Sequence, residues 1–284
     1  MRTVYLNGEY LPENEAKISI FDRGFLFADG IYEVTTVVDG KLIGFDGHIK
    51  RLQRSSDELK MGIKVDADEM LKIHQELVKL NNIKQGMIYL QYTRGNPGDR
   101  DFAFPPADTP PTLVLFTQEK QVVDTPIEQN GLKVISVEDL RWGRRDIKTV
   151  QLLFPSLAKM EAKARGADDA WLVQDGFVTE GTSNNAYIVK DGTIITRDLS
   201  NDILHGITRK SILECAELLQ MKVEERPFTV EEAANADEAF ATSASGFSNP
   251  IVEIDGKPIG TGKPGPVSGQ LREVYLRENM KAAV

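Results

Sequence analysis

DIKTV at residues 146–150 and VTEGTSNN at residues 178–185 are the two stretches that decide the fold of this chain. The first places Lys148 before the apolar run 149–154, which we expect to be buried. A lysine taken alone is most simply a solvated surface residue, because lysines are abundant at protein surfaces. Burial, helped by the positive charge of the arginines at 141, 144 and 145, lowers the pKa of a lysine. Lys148 is therefore a candidate nucleophile in its neutral amine form.

The second stretch surrounds Glu180 with small and polar residues. Taken alone, Glu180 can simply end a hairpin strand that follows Asp175-Gly176. Gly181, however, permits close approach of another group, and residues 182–185 supply short side chains that can fix a carboxylate by hydrogen bonds. A carboxylate beside a pyridine nitrogen keeps it protonated, and the pyridinium withdraws the electrons released when a Cα bond breaks. Together with a nucleophilic lysine, this carboxylate suggests an enzyme that uses pyridoxal 5'-phosphate.

The composition favours small-molecule chemistry. The chain has 284 residues and a formal net charge of -9 at pH 7, so nucleic acid and anionic membrane surfaces are disfavoured as partners. Its one cysteine, Cys215, rules out an intramolecular disulfide and is predicted to be buried in a helix. The first residues carry no basic segment before an apolar run, and no stretch approaches the ~18 apolar residues of a membrane span. The expected location is the cytoplasm.

Turn dipeptides and helical periodicity predict an α+β chain of two domains. Asn-Gly and Asp-Gly pairs tolerate the positive φ angles of tight turns, so each is predicted to join antiparallel strands. The helical segments do not alternate strictly with strands, which argues against a doubly wound parallel sheet. The polar segment 120–128 is predicted to link a smaller α+β domain, 1–119, to a larger α/β domain, 129–284. The predicted hairpins lie at Asn7-Gly8, Asp39-Gly40, Asp175-Gly176, Asp191-Gly192 and Asp255-Gly256, and the predicted helices run from Gly47 to Met61, Asp66 to Asn81, Leu153 to Arg165 and Thr208 to Met221.

Three places are candidates for binding a phosphate group. Thr208 opens a helix after Gly206, and it is either a simple N-cap or part of an anion site made by the helix N–H groups. The small-residue turn Thr242 to Gly246 is a weaker candidate of the same kind. Arg51 is either a solvated arginine on an amphipathic helix or a phosphate ligand. The three histidines show no metal-type spacing with the cysteine or with carboxylates, so no metal site is predicted.

Seven motifs follow one another in a fixed order along the whole chain. They are Arg23 to Val34, His48 to Leu52, Thr93 to Gly95, Glu138 to Trp142, Asp146 to Lys148, Thr179 to Gly181 and Gly206 to Arg209. With these motifs the chain resembles the fold-type IV pyridoxal-phosphate aminotransferases, and among them most the D-amino acid aminotransferases. The resemblance implies a homodimer whose subunits have two domains, with the cofactor bound between them.

The resemblance also implies a role for each candidate residue. Lys148 would hold pyridoxal 5'-phosphate as a Schiff base, and Glu180 would bind the ring nitrogen. Relatives commonly carry a hydroxyl residue where Ala244 stands, so only its backbone N–H is available there, and Thr242, Ser243 or Ser245 are left to compensate. The implied phosphate ligands are Arg51, Ile207, Thr208, Ser243 and Ala244, Leu204 would pack on the ring, and the implied substrate residues are Tyr32, Tyr89 and Arg100.

The implied reaction is amino-group exchange between a D-amino acid and a 2-oxo acid. In D-amino acid aminotransferases, a tyrosine, an arginine and a histidine two residues after it trap the substrate carboxylate, the last two on a loop of the partner subunit. Arg100 matches the arginine, whereas Phe102 stands in place of the histidine. We therefore expect Arg100 to carry carboxylate recognition largely alone, with (R)-amines as a further substrate class.

Three other functions stay open on this sequence. A branched-chain L-amino acid aminotransferase and an aminodeoxychorismate lyase share the same fold and use the same lysine and carboxylate. The third is a protein that binds the cofactor without catalysis. Lys148 argues against this last function, because binding alone needs no nucleophile.

Overall fold

The computed structural model of the protein describes all residues, 1–284, and contains two compact units. Unit 1 consists of Met1–Val123, Ile147–Gln151 and Ala282–Val284. Unit 2 consists of Asp124–Asp146 and Leu152–Lys281. The division after Val123 falls inside the segment predicted to be a linker. None of the helices is long and apolar enough to span a membrane.

Unit 1 is a six-stranded antiparallel sheet packed against two long helices. The strand order is β2-β1-β6-β5-β3-β4. Its core joins Ile31 and Ile88 of the sheet to Leu52 and Leu77 of the helices, all of them fully buried. The elements are β1 (Thr3–Leu6), β2 (Glu9–Pro12), α1 (Arg23–Phe27), β3 (Gly30–Val38), β4 (Lys41–Ile43), α2 (Phe45–Glu58), α3 (Ala67–Leu80), β5 (Gln85–Thr93) and β6 (Thr112–Glu119).

Unit 2 is built on a mixed sheet with helices packed against it. The strand order is β12-β11-β10-β13-β14-β7-β8-β9, and β15 pairs with β14. Its elements are α4 (Pro126–Asn130), β7 (Leu132–Glu138), α5 (Leu153–Ala164), β8 (Asp169–Gln174), β9 (Phe177–Gly181), β10 (Asn185–Lys190), β11 (Thr193–Thr196), α6 (Ile207–Leu218), β12 (Lys222–Glu225), α7 (Val230–Ala234), β13 (Glu238–Ser243), β14 (Phe247–Ile254), β15 (Lys257–Pro258) and α8 (Pro266–Lys281).

The predicted α+β class and all five predicted hairpins are confirmed. At each turn the Asn or Asp and the following glycine both have positive φ, for example 52° at Asp175 and 83° at Gly176. This geometry matches the right-handed twist of the two strands it connects. The turn after Asp175 matters most for the site, because it leads directly into β9, which carries Glu180.

The four predicted helices are present as α2, α3, α5 and α6, with ends that differ by up to three residues. A short helix, α4, begins inside segment 120–128, whose assignment as a linker stays a prediction. A capping box stabilises this helix start, since Thr125 and Glu128 each bond to the backbone of the other. The buried location predicted for Cys215 is confirmed, and burial raises the pKa of its thiol to about 11.

Candidate active site

Lys148 lies in an extended segment that unit 1 holds against strand β3. Its carbonyl oxygen accepts a hydrogen bond from the Tyr32 N–H at 3.0 Å, and the Val150 N–H donates to Gly30 at 3.1 Å. Thr149 forms an isolated bridge with Ile31. The backbone of β3 therefore fixes Lys148 on both sides, and its Nζ lies 4.1 Å from the centre of the Tyr32 ring.

The expectation that residues 149–154 are buried is wrong. Ile147 and Thr149 are buried beside the half-buried Lys148, but Leu152 is 37% exposed and Leu153 is 75% exposed. The buried surroundings of Lys148 therefore come from its pairing with β3. The apolar residues that follow it in sequence contribute no burial.

Tyr32 and Tyr89 lie together on neighbouring strands of unit 1. Their rings stack with centroids 5.5 Å apart, and Tyr89 stacks in turn on Phe116 at 4.9 Å. The Tyr89 hydroxyl donates to Gln91 at 2.8 Å, and burial raises its pKa, so this phenol stays protonated. The structure thus groups Lys148 with both tyrosines that were predicted to face the substrate.

Arg51 is paired with a carboxylate that the sequence did not single out. Its Nε and Nη2 donate to the two oxygens of Glu33, both at 2.7 Å, in a bidentate pair. His48, one turn earlier on α2, places Nδ1 2.7 Å from the same carboxylate. Arg51 is only 8% exposed, so its reading as a solvated arginine is wrong. Its predicted role as a phosphate ligand stays a prediction.

The neighbouring Arg51 and His48 keep the buried carboxylate of Glu33 ionised. Burial alone would raise the pKa of Glu33, but the charge and hydrogen bonds of Arg51 and His48 lower it to about 2. Burial also lowers the pKa of His48, against the hydrogen bond to Glu33. Since an ionised carboxylate only accepts hydrogen bonds, Nδ1 of a neutral His48 is the donor. Glu33 and His48 therefore orient Arg51 on helix α2.

A Glu33→Gln variant is expected to lose about 3–5 kcal/mol of unfolding free energy at pH 7, because the buried Arg51 charge loses its bidentate carboxylate partner. Urea titration measures this loss.

The stabilisation by Glu33 depends on pH. The pKa of Glu33 is lowered from 4.5 to about 2, so its contribution to the unfolding free energy is complete above pH 4.5 and is lost as the pH falls towards 2. The control is Glu76→Gln, which breaks an exposed 3.4 Å pair with Lys79 and should change stability by less than about 1 kcal/mol. Equal losses in the two variants would contradict the prediction.

Arg100 lies on an exposed loop between β5 and β6, packed against aromatic rings. Its guanidinium carbon is 5.0 Å from the ring centres of both Phe27 and Phe102. Phe102 is 76% exposed and meets Phe27 edge to face at 5.3 Å. Arg23 anchors the loop through the carbonyl oxygens of Asp101 and Ala103. Phe102 therefore gives an apolar surface beside Arg100, where a histidine would give a hydrogen-bonding one.

Glu180 is buried in unit 2 and accepts hydrogen bonds from three donors. Arg141 Nη1 lies 2.6 Å from Oε1, and Asn185 Nδ2 and the Leu204 N–H each lie 3.0 Å from Oε2. Only 4% of the residue is exposed. The Asn185 amide also donates to the Leu204 carbonyl at 2.9 Å. Glu180 and Leu204 are thus fixed as one group, which agrees with their predicted places at the ring nitrogen and the ring face.

The turn after Glu180 is held by a buried aspartate. Asp169 accepts hydrogen bonds from the Thr182 hydroxyl and, at 2.7 Å, from the Asn184 amide. A Cβ on Gly181 would lie 2.2 Å from Asn184 Oδ1, so a larger residue would displace the Asn184 side chain. The polar run after Glu180 therefore builds the turn that orients the carboxylate.

The candidate phosphate residues lie at two backbone turns of unit 2. Helix α6 begins at Ile207 after Gly206, and no side chain caps its first N–H groups. The N-cap alternative for Thr208 is wrong, because Gly206 is the N-cap and Thr208 is already helical. A Cβ at Gly206 would lie 2.2 Å from Asn185 Oδ1, which excludes larger residues. These N–H groups are suited to binding an anion.

The second turn follows strand β13 and contains Ser243 and Ala244. The Gly246 N–H donates to the Ser243 carbonyl at 3.3 Å, and Arg272 Nη1 on α8 donates to the Gly246 carbonyl at 2.7 Å. The hydroxyl of Thr242 is engaged with the Tyr187 hydroxyl at 3.0 Å. Which of Thr242, Ser243 and Ser245 compensates for Ala244 stays a prediction.

The donor set fits pyridoxal 5'-phosphate. The chemical groups present are a half-buried amine at Lys148, a buried carboxylate at Glu180 and, at Ile207, a helix start without a side-chain cap. An aldehyde, a ring nitrogen and a phosphate are the groups that these three features bind.

Comparison with known proteins identifies similar sequences and structures. Residues 30–254 match the family described as amino-transferase class IV. The chain is 42% identical over 277 residues to a D-alanine aminotransferase of Staphylococcus haemolyticus and 40% identical to one of Staphylococcus aureus (strain MSSA476), with 97% of both chains covered in each case. A solved branched-chain amino acid aminotransferase of T.th. with pyridoxamine 5'-phosphate has a TM-score of 0.89 at 27% identity, covering 100% of this chain and 98% of that one.

Proposed function

Because the chain belongs to the class IV aminotransferases, we propose that it transfers an amino group between a D-amino acid and a 2-oxo acid. The predicted fold family, the transaminase activity and the pyridoxal 5'-phosphate cofactor are confirmed by the family match. The observation that carries the choice of D-amino acids is the 42% identity to a D-alanine aminotransferase over nearly the whole of both chains.

Lys148 acts as the amine that binds the cofactor and then moves the proton of the substrate Cα. When bound, pyridoxal 5'-phosphate supplies an aldehyde for the amino group and a ring that accepts the electrons of the broken bond. Nζ of Lys148 takes the proton from one carbon and returns it to another, which needs a neutral amine held in place. The Tyr32 ring, 4.1 Å from Nζ, limits the positions of the amine.

Unit 2 supplies most of the remaining cofactor contacts. Glu180 holds a proton on the ring nitrogen, and Leu204 packs against the ring. The N–H groups of Ile207 and Thr208 bind the phosphate at the start of α6, as anions do at helix N-termini. Ser243, Ala244 and Arg51 are the other proposed phosphate ligands.

The substrate carboxylate is recognised by Tyr32 and Tyr89 together with Arg100, which the second copy of the homodimer supplies. The tyrosines form one stacked pair beside Lys148, and the Phe27 and Phe102 rings hold the Arg100 guanidinium. Arg100 is the only cation among these groups, so it provides most of the attraction for a carboxylate. Phe102 gives an apolar wall that suits small substrate side chains and (R)-amines.

An Arg100→Ala variant is expected to lose kcat/KM for D-alanine by at least about tenfold, or ~1.4 kcal/mol of transition-state binding. Activity with (R)-1-phenylethylamine, which has no carboxylate, serves as the internal control and should change little. Steady-state kinetics with pyruvate or 2-oxoglutarate as acceptor measures both. Unchanged D-alanine kinetics would remove Arg100 from the substrate site.

We further infer that the protein works as a homodimer. Both units expose large apolar side chains, and those of α5 recur at positions 153, 157 and 160 on one helical face. A second copy of this chain is the partner that would cover them in a family of this kind. The exposed residues include Ile18, Ile20, Phe21, Phe25, Phe102 and Phe104 in unit 1 and Leu140, Trp142, Leu153, Leu157 and Met160 in unit 2. A monomeric mass in analytical ultracentrifugation would contradict this assignment.

The proposed location of the protein is the cytoplasm. Its single cysteine forms no disulfide, which suits a reducing compartment.

A branched-chain L-amino acid aminotransferase is the second candidate function. The TM-score of 0.89 to such an enzyme favours it, because fold similarity of this degree extends over the whole chain. The sequence identity to that enzyme, 27%, is well below the 42% to the D-alanine enzyme. Enantiomer preference separates the two functions directly.

A further inference from the structure

The buried carboxylate of Glu180 is directly paired with a guanidinium. Arg141 Nη1 donates to Glu180 Oε1 at 2.6 Å, and neither residue is more than slightly exposed at its side chain, 12% for Arg141 and 5% for Glu180. The other two nitrogens of Arg141, Nε and Nη2, donate to Asp139 at 2.9 and 2.7 Å. Arg141 therefore bridges two carboxylates, one of which was predicted to bind the cofactor ring.

The charges around Glu180 are all within unit 2. Behind Arg141, Asp139 also accepts the Thr179 hydroxyl at 2.7 Å and has Arg145 Nη1 at 3.4 Å. Arg145 is in turn 3.8 Å from Asp202. Among these groups, Arg141 is the one cation that touches Glu180. Asn185 and the Leu204 N–H contact its other oxygen and carry no charge.

Burial and the charge of Arg141 have opposite effects on the pKa of Glu180. Burial, the largest cause, raises the pKa of Glu180 overall, and Asp139 acts in the same direction, whereas the charge and hydrogen bond of Arg141 oppose the rise. Burial acts against the charge of Arg141 too, but its bonds to Asp139 and Glu180 raise its pKa overall. Arg141 therefore stays charged, and without it Glu180 would be a much weaker acid.

A proton shared by two bases stays on the one with the higher pKa. Without the Arg141 contact the pKa of Glu180 would rise further, and a neutral Glu180 would leave the ring nitrogen unprotonated. We propose that Arg141, held by Asp139, is a positioning residue that keeps Glu180 ionised, so that the shared proton stays on the ring nitrogen of the bound cofactor. This inference rests on the proposed contact between Glu180 and that nitrogen.

A purely structural role for Arg141 would leave the position of this proton unchanged. The test is therefore spectroscopic. Holoenzyme is prepared with pyridoxal 5'-phosphate labelled with ¹⁵N at the ring nitrogen, whose NMR shift reports protonation. We expect a pyridinium in the wild type and an unprotonated ring nitrogen in Arg141→Met. The Arg141→Met apoprotein should also bind the cofactor about tenfold more weakly, because a charge-assisted hydrogen bond is replaced by a neutral one.

Two further variants keep the test decisive. Arg141→Met leaves Asp139 without its main partner, so the double variant Asp139→Asn with Arg141→Met removes the buried charge pair together and should show the same unprotonated nitrogen. Arg145→Met is the matched control, since it removes a cation that contacts Asp139 but makes no hydrogen bond to Glu180, and it should keep the pyridinium. A pyridinium in both Arg141 variants would overturn the inference.

Glu180→Gln separates this inference from the proposed function. If the pyridinium persists in Glu180→Gln, Glu180 does not contact the ring nitrogen, and the proposed role of Glu180 fails with the inference. If the nitrogen is unprotonated in Glu180→Gln but protonated in both Arg141 variants, only the inference about Arg141 fails. Arg141→Lys, which keeps a positive charge near Oε1, should retain the pyridinium.

Discussion

A Lys148→Ala variant is expected to lose at least about 10⁴-fold in the rate of D-alanine transamination, the upper range for removing a general base. Two functions disappear together, because Nζ both binds the cofactor and moves the Cα proton. The structure offers no replacement on the same segment, since the neighbours Ile147 and Thr149 are buried and lack an amine. Single-turnover absorbance changes with D-alanine measure the loss.

The Lys148→Ala result needs a control for the loss of a lysine as such. Lys79 has a side chain that is 77% exposed, so Lys79→Ala should keep wild-type turnover. Added ethylamine, which can act as an external base, should restore part of the Lys148→Ala rate in proportion to its concentration. Wild-type turnover in Lys148→Ala would show that another residue moves the proton.

A Glu180→Gln variant is expected to lower kcat with D-alanine by about 10²- to 10³-fold, the range found when one preorganised electrostatic contact to developing charge is removed. Glutamine preserves the shape of Glu180, and its amide oxygen can still accept the hydrogen bond of Arg141. It lacks the negative charge that holds a proton on the ring nitrogen. The fall should therefore appear mainly in kcat, because the charge is needed most when the Cα bond breaks.

The comparison for Glu180→Gln is an exposed glutamate in the same unit. Glu217 lies on the exposed side of α6, and Glu217→Gln should leave kcat unchanged. Thermal unfolding of the two variants checks that both remain folded. A Glu180→Gln enzyme with wild-type kcat would show that the reaction does not depend on a negative charge at this position.

The hairpins and amphipathic helices are the parts of the fold that follow from local sequence. Asp175-Gly176 and the four similar dipeptides adopt positive φ angles that few other residues tolerate, so the turns can be read directly. Helix α8 is not predicted by the same reasoning. Its buried side includes Ser268 and Arg272, which weakens the apolar periodicity. Arg272 is buried because Glu128, far away in sequence, pairs with it at 2.6 Å.

The sequence predicts which residues belong to the candidate site, but it does not predict which other residues they contact. Ordered motifs select Lys148, Glu180 and Thr208 because the cofactor requires an amine, a carboxylate and a helix start. The partners of these residues are long-range. Glu33 pairs with Arg51, and Arg141 pairs with Glu180 across 39 positions of sequence. Periodicity and spacing report only neighbours along the chain, so pairing of this kind appears only when the sheets form.

The burial of Lys148 illustrates the same limit. An apolar run after the lysine predicts burial, yet Leu152 and Leu153 are exposed. The segment 147–151 is instead held by backbone hydrogen bonds to β3, which lies more than a hundred residues earlier. Backbone pairing of this kind cannot be predicted from the types of side chain in the segment, because it uses only main-chain groups.

The most direct test mixes the yellow holoenzyme with D-alanine or with L-leucine in separate stopped-flow experiments without an acceptor. With D-alanine, we expect rapid bleaching of the yellow absorbance and the release of pyruvate in an amount equal to the number of active sites. L-leucine should react far more slowly. Rapid bleaching by L-leucine with no reaction of D-alanine would contradict the account and identify a branched-chain L-amino acid aminotransferase.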